Sequence, residues 1–347
     1  MIRFGPAGIP LSCKGRTLKD GIEDVHNLGL TAMEAQLVRA HIQERPSEAE
    51  EIGQKPVDLT NEMVIEIVRK KGSKEEVISD LSEPIKKGDT LVTLTSGIAR
   101  SYPELRQLRD MAEELDVELS IHTPYYMDLV GEGELSLRSM DSIKWGGLMA
   151  KQLGASVVVT HMGLYGEISQ KTALKHIKDK VGVLAKWYKK HSIGVPIGLE
   201  LSGRQEIFGS LSEVSKTCKD IPGVVPVINF AHYHARENGI LREPKDFNEL
   251  LDDLWDLVPG EFYAHFSGVE HEGGNEKRFT SIKKGDLRFE PLAEAIVDRN
   301  QPITIISGSP LLEHDAMYMK VILERVLAKK VSKETKVTPP KKEKSSR

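Results

Sequence analysis

Short apolar segments rich in β-branched residues alternate with helix-like segments along most of this chain. Runs such as SVVVT and VPVINF are continuously apolar, which indicates strands buried on both faces, as in parallel sheets. The eight predicted strands span residues 2–5, 32–38, 117–122, 156–161, 195–201, 224–230, 262–266 and 303–307. The eight predicted helices span residues 17–28, 103–115, 135–153, 173–191, 207–218, 247–257, 292–298 and 311–328. This repeat predicts an α/β fold, a (β/α)8 TIM barrel, for which about 250 residues is typical.

A doubly wound open sheet is the alternative architecture. It predicts a glycine-rich phosphate-binding loop of the pattern GxGxxG after the first strand. The corresponding segment here reads GPAGIP, which does not fit that pattern. We therefore predict that residues 1–330 form a closed barrel rather than an open sheet.

One insertion and one extension depart from the repeat. More than sixty residues separate Arg39 from Pro103, where about twenty would suffice. They predict an insertion of roughly residues 40–100 after the second strand, a candidate lid or partner-binding element, with a helix over Asn61–Lys71 and a strand over Thr90–Thr95. The alternative is that one early strand is misplaced. Residues 331–347 carry six basic and two acidic residues, which predicts a disordered basic tail that either aids solubility or contacts phosphates.

Composition narrows the class of protein. The sequence is 39% hydrophobic with a formal net charge of −4, so its overall charge does not point to nucleic acid. Its cysteines, Cys13 and Cys218, form no CxxC pair, which favours a reducing compartment. The N-terminus lacks the apolar stretch of a signal peptide, and no run approaches the roughly 18 apolar residues of a membrane span. We expect a cytoplasmic monomer that does not contact membranes.

Residues that can bind a metal follow five of the predicted strands. They are His122, His161, Glu200, His232 and His265. In a parallel barrel all strand C-termini lie on one face, so these side chains should converge. Histidine and glutamate are common zinc ligands. The sequence therefore predicts a metal-centred enzyme site, although each histidine taken alone could be a hydrogen-bonded core residue.

The segments SIHTPYYMDL, THMG, GLELSG, NFAHYHA and YAHFSG resemble, in order, motifs of the endonuclease IV family within the xylose-isomerase-like TIM barrels. This resemblance implies a zinc-dependent deoxyribonuclease that cleaves DNA at abasic sites during DNA repair. It implies that His122 and His161 bind a first zinc ion, and that Glu200 bridges two ions as the catalytic carboxylate. It further implies that His265 binds a second ion and His232 a third.

Three positions depart from the family pattern. Asn229 stands where the family has an aspartate, Phe279 about where it has a histidine, and Gly308 about where it has a glutamate. Asn229 is still predicted to be a ligand through its amide oxygen. We expect fewer than three tightly bound ions, with Zn²⁺ the expected metal and Mn²⁺ or Mg²⁺ as alternatives. Nearby residues that could replace the missing ligands are His234, His271, Glu276 and Glu313.

The resemblance also suggests DNA contacts. Tyr125 and Tyr126 align with a family loop that wedges into the duplex, where stacking on a base could contribute about 1–3 kcal/mol. Arg39 and Arg236 fall in predicted loops on the same face and are candidate phosphate contacts, although rim packing and surface salt bridges explain these residues equally well. The expected partner is DNA with abasic sites. The alternatives are a xylose-isomerase-like sugar or sugar-phosphate isomerase or epimerase, and a non-catalytic binder of damaged DNA.

Overall fold

The computed structural model describes residues 1–337. In chain order its strands are β1 (Ile2–Pro6), β2 (Ala32–Gln36), β3 (Ala40–Pro46), β4 (Met63–Lys71), β5 (Lys74–Ile78), β6 (Thr90–Ser96), β7 (Glu118–His122), β8 (Val158–Thr160), β9 (Ile197–Glu200), β10 (Val224–Asn229), β11 (Phe262–Phe266), β12 (Gly268–Glu272), β13 (Asn275–Thr280) and β14 (Ile303–Ser307). Its α-helices are α1 (Leu18–Asn27), α2 (Tyr102–Glu114), α3 (Glu134–Leu153), α4 (Gln170–Lys190), α5 (Leu211–Asp220), α6 (Phe230–Arg236), α7 (Pro244–Trp255), α8 (Phe289–Arg299) and α9 (Glu313–Val337).

Eight parallel strands form a barrel in the order β1-β14-β11-β10-β9-β8-β7-β2, so the predicted barrel is confirmed. Its two end strands meet where the Thr31 amide donates to the carbonyl oxygen of Phe4 at 3.0 Å. Gly5 permits this approach, because a Cβ there would lie 1.7 Å from the carbonyl oxygen of Ala32. The C-terminal ends of all eight strands therefore share one rim.

The inside of the barrel has an apolar lower layer and a polar upper layer. The lower layer consists of Ala32, Val157, Val159, Val227, Tyr263 and Ile306. Two residues further along three of these strands stand Glu34, His161 and Asn229. Because side chains alternate between the two faces of a strand, these polar residues also face inward. The larger apolar core lies between the outer face of the barrel and the helices.

The insertion after β2 folds as an antiparallel sheet in the order β3-β6-β4-β5. The predicted helix over Asn61–Lys71 is wrong, because Met63–Lys71 is a strand that pairs with both β5 and β6. Its MVIEIV segment contains β-branched residues that suit a strand. The predicted strand over Thr90–Thr95 is confirmed as β6. One face of this sheet encloses a small core of its own, and Met63 and Val92 join the main core.

Three further features differ from the sequence prediction. The short helix α6 and the antiparallel hairpin β12–β13 were not predicted, and both lie above the rim residues of β10 and β11. Helix α9 continues to Val337, so residues 331–337 of the predicted tail are helical, whereas residues 338–347 lie outside the described residues. Within residues 1–337, no helix is long and apolar enough to cross a membrane.

Candidate metal centre

Glu200 lies at the centre of the polar upper layer. It is the last residue of β9 and is almost completely buried. Its Oε2 lies 3.0 Å from Nε2 of His122 and 3.2 Å from Nδ1 of His161. The three ligand atoms all lie within 4.8 Å of one another, a spacing at which one divalent ion can contact all of them. The fold thus brings together the three residues that the sequence places in the first metal site.

The hydrogen bonds of His122 show which of its nitrogens can bind a metal. Nδ1 lies 2.7 Å from the backbone carbonyl oxygen of Thr123, so Nδ1 carries the ring proton and donates it. In the neutral ring, Nε2 then directs a lone pair at a carboxylate oxygen of Glu200 3.0 Å away. Burial acts to lower the pKa of His122, but the carboxylates of Glu34 and Glu200 outweigh burial and raise this pKa, so either a second ring proton or a metal ion can occupy the position between Nε2 and Glu200. Metal-binding histidines usually donate their other ring N–H in this way, so the donor set fits a metal ion.

The surroundings of Glu200 and His161 favour an ionised carboxyl group and a neutral imidazole. Burial acts to raise the pKa of the Glu200 carboxyl, but the surrounding imidazoles of His161, His265 and His122 outweigh burial and hold this pKa well below its usual value. Burial lowers the pKa of His161 to about 4, so this imidazole is neutral at pH 7. A carboxylate and a neutral imidazole are the protonation states that bind metals.

His265 lies on the other side of Glu200, between two carboxylates. Its Nδ1 lies 3.2 Å from Oε1 of Glu200, and its Nε2 lies 2.8 Å from Oε2 of Glu34. Burial acts to lower the pKa of His265, but the two carboxylates outweigh burial and raise this pKa to about 10. Glu34 was not predicted from the sequence. The available signal was a carboxylate in the second strand, two residues before Gln36 and on the same face of that strand.

Asn229 joins the centre as a hydrogen-bond donor. Its Oδ1 accepts the backbone N–H of His232 at 3.0 Å and so caps helix α6. This bond fixes the orientation of the amide, and Nδ2 therefore donates to Oε1 of Glu200 at 2.8 Å. The oxygen of Asn229 thus caps α6, which the sequence did not reveal, and its nitrogen faces Glu200; an amide oxygen has a second lone pair, so metal binding through it stays a prediction.

His232 is coupled to the hairpin β12–β13. Its Nδ1 contacts a carboxylate oxygen of Glu276, while its Nε2 lies 3.9 Å from Oε1 of Glu200. The ring of Phe279 packs on the His232 ring with 5.1 Å between centroids. The same phenyl ring covers Gly308, where a Cβ would lie 3.6 Å from it. The family departures at positions 279 and 308 thus fill one space with an apolar ring, and Glu276 gives His232 an acidic partner.

Comparison with known proteins agrees with this fold. The family described as the xylose isomerase-like TIM barrel matches residues 90–311. The chain belongs to this family. The match begins at β6 and includes the strand ends from His122 to His265, whereas Glu34 precedes it.

Several members and neighbours of the xylose isomerase-like barrels are similar to this chain. An uncharacterized protein of Methanocaldococcus jannaschii is 24% identical over 245 residues, which is 69% of this chain and 88% of that protein. Endonuclease IV from Thermus thermophilus is 17% identical, with a TM-score of 0.57 over 93% of this chain and 99% of that chain. An L-ribulose 3-epimerase is 11% identical, with a TM-score of 0.59 over 99% of this chain and 100% of that chain. The TM-scores establish a shared fold. The proteins with this fold include a nuclease and an epimerase.

Two tyrosines stand at the mouth of this xylose isomerase-like barrel. The ring of Tyr125 packs edge-on against His161, with 5.0 Å between centroids. Tyr126 packs against Tyr125 and is 84% exposed. Arg39 is exposed in the loop that follows β2. These three side chains lie where a ligand approaching the rim could meet them.

Arg236 does not lie on the surface. It is buried at the end of α6, and its Nη1 donates to the backbone carbonyl oxygens of Arg204 and, at 3.0 Å, Ile207. Its guanidinium therefore fastens the loop after β9. The predicted contact of Arg236 with a DNA phosphate is not supported by this arrangement, because the residue is buried and backbone acceptors hold its Nη1.

A cavity of about 500 Å³ opens directly beside the metal centre. His161, His232 and Glu276 form its inner end. Its walls are mainly apolar and come from the loops after β7, β8 and β9, with side chains such as Met127 and Ile207. Four carboxylates line it, from Asp128, Glu167, Glu206 and Glu276, against one guanidinium, from Arg204.

Two other groups proposed as replacement ligands have different roles. His234, His271 and Asp286 bring ligand atoms together within 4.8 Å. The backbone N–H of Leu241, however, donates to Nδ1 of His234 at 3.2 Å, so Nε2 carries the ring proton and points it towards Asp286. A protonated nitrogen is not a ligand. Glu313 is fully buried and accepts two backbone N–H groups of the loop after β1, which it holds in place.

Proposed function

We propose that this protein is a divalent-metal-dependent phosphodiesterase that acts on DNA at abasic sites, with fewer than three bound ions. The observation that carries the proposal is the convergence of His122, His161 and Glu200 beside an exposed pair of tyrosines. The fold shared with endonuclease IV over 93% of the chain supports the proposal. The order of the family motifs along the sequence supports it as well.

The residues of the centre have distinct tasks in this function. A bound divalent ion would make water acidic enough to yield hydroxide near neutral pH and would offset phosphate charge. His122 is oriented by the Thr123 carbonyl, and His161 is held neutral by burial. Glu200 is the central carboxylate, oriented by the amide of Asn229. The exposed ring of Tyr126 is suited to stack on a base beside the lesion.

A sugar or sugar-phosphate epimerase is the second candidate, because the cavity beside the centre favours it. The cavity has a volume of about 500 Å³, which suits a small molecule. Its four carboxylates and one guanidinium repel a polyanion more than they repel a neutral sugar. The fold shared with L-ribulose 3-epimerase over the whole chain is consistent with this candidate.

One set of assays separates these functions. Protein stripped with a chelator is loaded with Zn²⁺, Mn²⁺ or Mg²⁺ and is incubated with a labelled duplex that contains one abasic site. The matched intact duplex is the substrate control. In parallel, the same preparations are incubated with ketopentoses, ketohexoses and their phosphates in D₂O, where epimerisation introduces deuterium at the carbon that is inverted. The proposal predicts metal-dependent nicking of the abasic duplex alone.

Paired variants connect the activity to the centre. His122→Ala should reduce nicking to the level seen with chelator, because it removes a ligand of the first site. His26→Ala is the matched control, since His26 is an exposed histidine at the end of α1, remote from the rim, and should nick normally. Deuterium exchange without nicking would establish the epimerase instead. Salt-dependent affinity for abasic DNA with no nicking under any metal would establish a non-catalytic binder.

A further inference from the structure

Glu34 is a buried carboxylate with a full set of hydrogen-bond donors. It is 1% exposed and lies on β2, inside the barrel. Its Oε1 accepts from Nε2 of Gln36 at 2.7 Å. Its Oε2 accepts from the hydroxyl of Tyr263 at 2.9 Å and from Nε2 of His265 at 2.8 Å. An ionised carboxylate is stable in such a place only when donors surround it in this way.

The two carboxylates beside His265 contact different ring nitrogens. Glu34 accepts from Nε2, while Nδ1 faces Oε1 of Glu200 at 3.2 Å. Nδ1 is buried and makes no hydrogen bond of acceptable geometry within the described residues. The imidazole ring therefore lies between Glu34 and an ion held by Oε1 of Glu200, so Glu34 reaches that ion through His265.

We propose that Glu34 is a positioning residue that holds His265 with Nδ1 directed at the metal centre. When a metal ion replaces the proton on Nδ1, Glu34 keeps the remaining ring proton on Nε2 by accepting it, so that Nδ1 presents its lone pair to the ion. Carboxylates that accept a proton from a metal-binding histidine orient the ring and increase its basicity. The inference rests on the metal centre of the proposed function, but not on its substrate.

Tyr263 offers a matched comparison for this role. Its hydroxyl contacts the same oxygen of Glu34 and also Oγ of Ser120, yet it does not contact Glu200 or a predicted metal ligand through that hydroxyl. If Glu34 only completes a buried polar network, the loss of either partner should destabilise the fold alike and leave metal binding unchanged. If Glu34 orients His265, only the change at Glu34 should weaken metal binding.

The test is a titration of chelator-stripped protein with Zn²⁺, and with Co²⁺ as a spectroscopic probe, without any substrate. Glu34→Gln keeps the size of the side chain but removes its charge. The new amide group also brings an N–H donor to a site that is already surrounded by donors, such as the amide of Gln36. We expect it to weaken metal binding by about 10- to 100-fold and to alter the Co²⁺ absorption bands. Tyr263→Phe should change metal affinity far less. Thermal melts of both variants establish that they fold.

A second measurement uses the unmodified protein, so its result does not depend on whether the variants fold. In unmodified protein loaded with Zn²⁺, nitrogen-detected NMR of the histidine rings should show a proton on Nε2 of His265 and none on Nδ1. Metal affinity and Co²⁺ bands that are unchanged in folded Glu34→Gln, or a proton on Nδ1 in the loaded protein, would overturn the inference. Neither result depends on nicking of DNA, so the inference and the proposed function can fail separately.

Discussion

Asn229→Asp should restore a metal position that the present sequence has closed. The amide nitrogen of Asn229 lies 2.8 Å from Oε1 of Glu200, on the side of that carboxylate where His265 presents Nδ1. An aspartate would place a second carboxylate oxygen there. It would keep the cap of α6, because aspartate caps helices about as well as asparagine. We expect the variant to bind one more divalent ion per chain than the unmodified protein.

The structure gives the size of the effect. In metal-free protein the variant loses a hydrogen bond to a charged group, worth about 1.5–3 kcal/mol. Two full charges 2.8 Å apart would in addition repel by about 6 kcal/mol at an effective dielectric constant of about 20. Uptake of a proton by the new carboxyl relieves that repulsion, which leaves a loss of the order of the hydrogen bond itself, about 1.5–3 kcal/mol. An ion present at 100 times its Kd returns about 2.7 kcal/mol.

Two measurements test this prediction. Differential scanning calorimetry with chelator should show a lower Tm for Asn229→Asp than for the unmodified protein, by about 1–2 °C per kcal/mol lost in a chain of this length, and excess Zn²⁺ should largely remove the difference. Elemental analysis should then show the extra ion. Asn229→Ala, which loses the cap and the donor without adding a ligand, should be destabilised without gaining metal. An Asn229→Asp protein with unchanged stoichiometry and an unchanged Tm in chelator would refute the reasoning.

Three further outcomes are expected. Tyr126→Ala should weaken binding of abasic DNA by about 1–3 kcal/mol in fluorescence anisotropy and leave Tm unchanged, because the ring is 84% exposed; unchanged affinity would remove Tyr126 from the DNA contact. Chelation should lower Tm, and Zn²⁺ should restore it, whereas a Tm insensitive to chelator would argue against a bound ion. Burial acts to raise the pKa of Asp89, but hydrogen bonds from Arg69 outweigh burial and lower it. Their ion pair therefore stabilises above about pH 4 and loses this effect as the pH falls through the lowered pKa. Arg69→Met should cost about 3 kcal/mol in urea unfolding at pH 7 and progressively less as the pH falls below about 4; a cost that does not change with pH would contradict this.

The sequence predicted the barrel well because its strands are apolar on both faces, a pattern that local residues determine. The helix predicted over Asn61–Lys71 failed because pairing with β5 and β6, which lie elsewhere in the chain, decides the conformation of that segment. Glu34 was missed for a similar reason. Its partner His265 is 231 residues away, so the sequence around Glu34 shows a carboxylate within a predicted strand but not the imidazole that it contacts.

The sequence also did not determine how the side chains of two residues are oriented. The sequence placed Asn229 correctly in the centre, but the direction of its amide depends on the cap of α6, a helix of seven residues that begins within a segment predicted as strand. Likewise, Arg236 was placed in a loop from its position between a predicted strand and a predicted helix, whereas the fold places it at the end of α6 and buries its guanidinium among carbonyl groups. In both cases the backbone of the loops, which tertiary contacts determine, sets what the side chain can do.

The hairpin β12–β13 brings an acid and an aromatic ring to one imidazole, through Glu276 and Phe279. Both residues lie on strand β13 of this antiparallel hairpin, outside the barrel wall. Exchange of residues 268–280 as a block would therefore replace the charge and the shape around His232 together, while the eight parallel strands keep their register. Exchange of this hairpin between related barrels would therefore change the residues around His232 and leave the barrel strands unchanged.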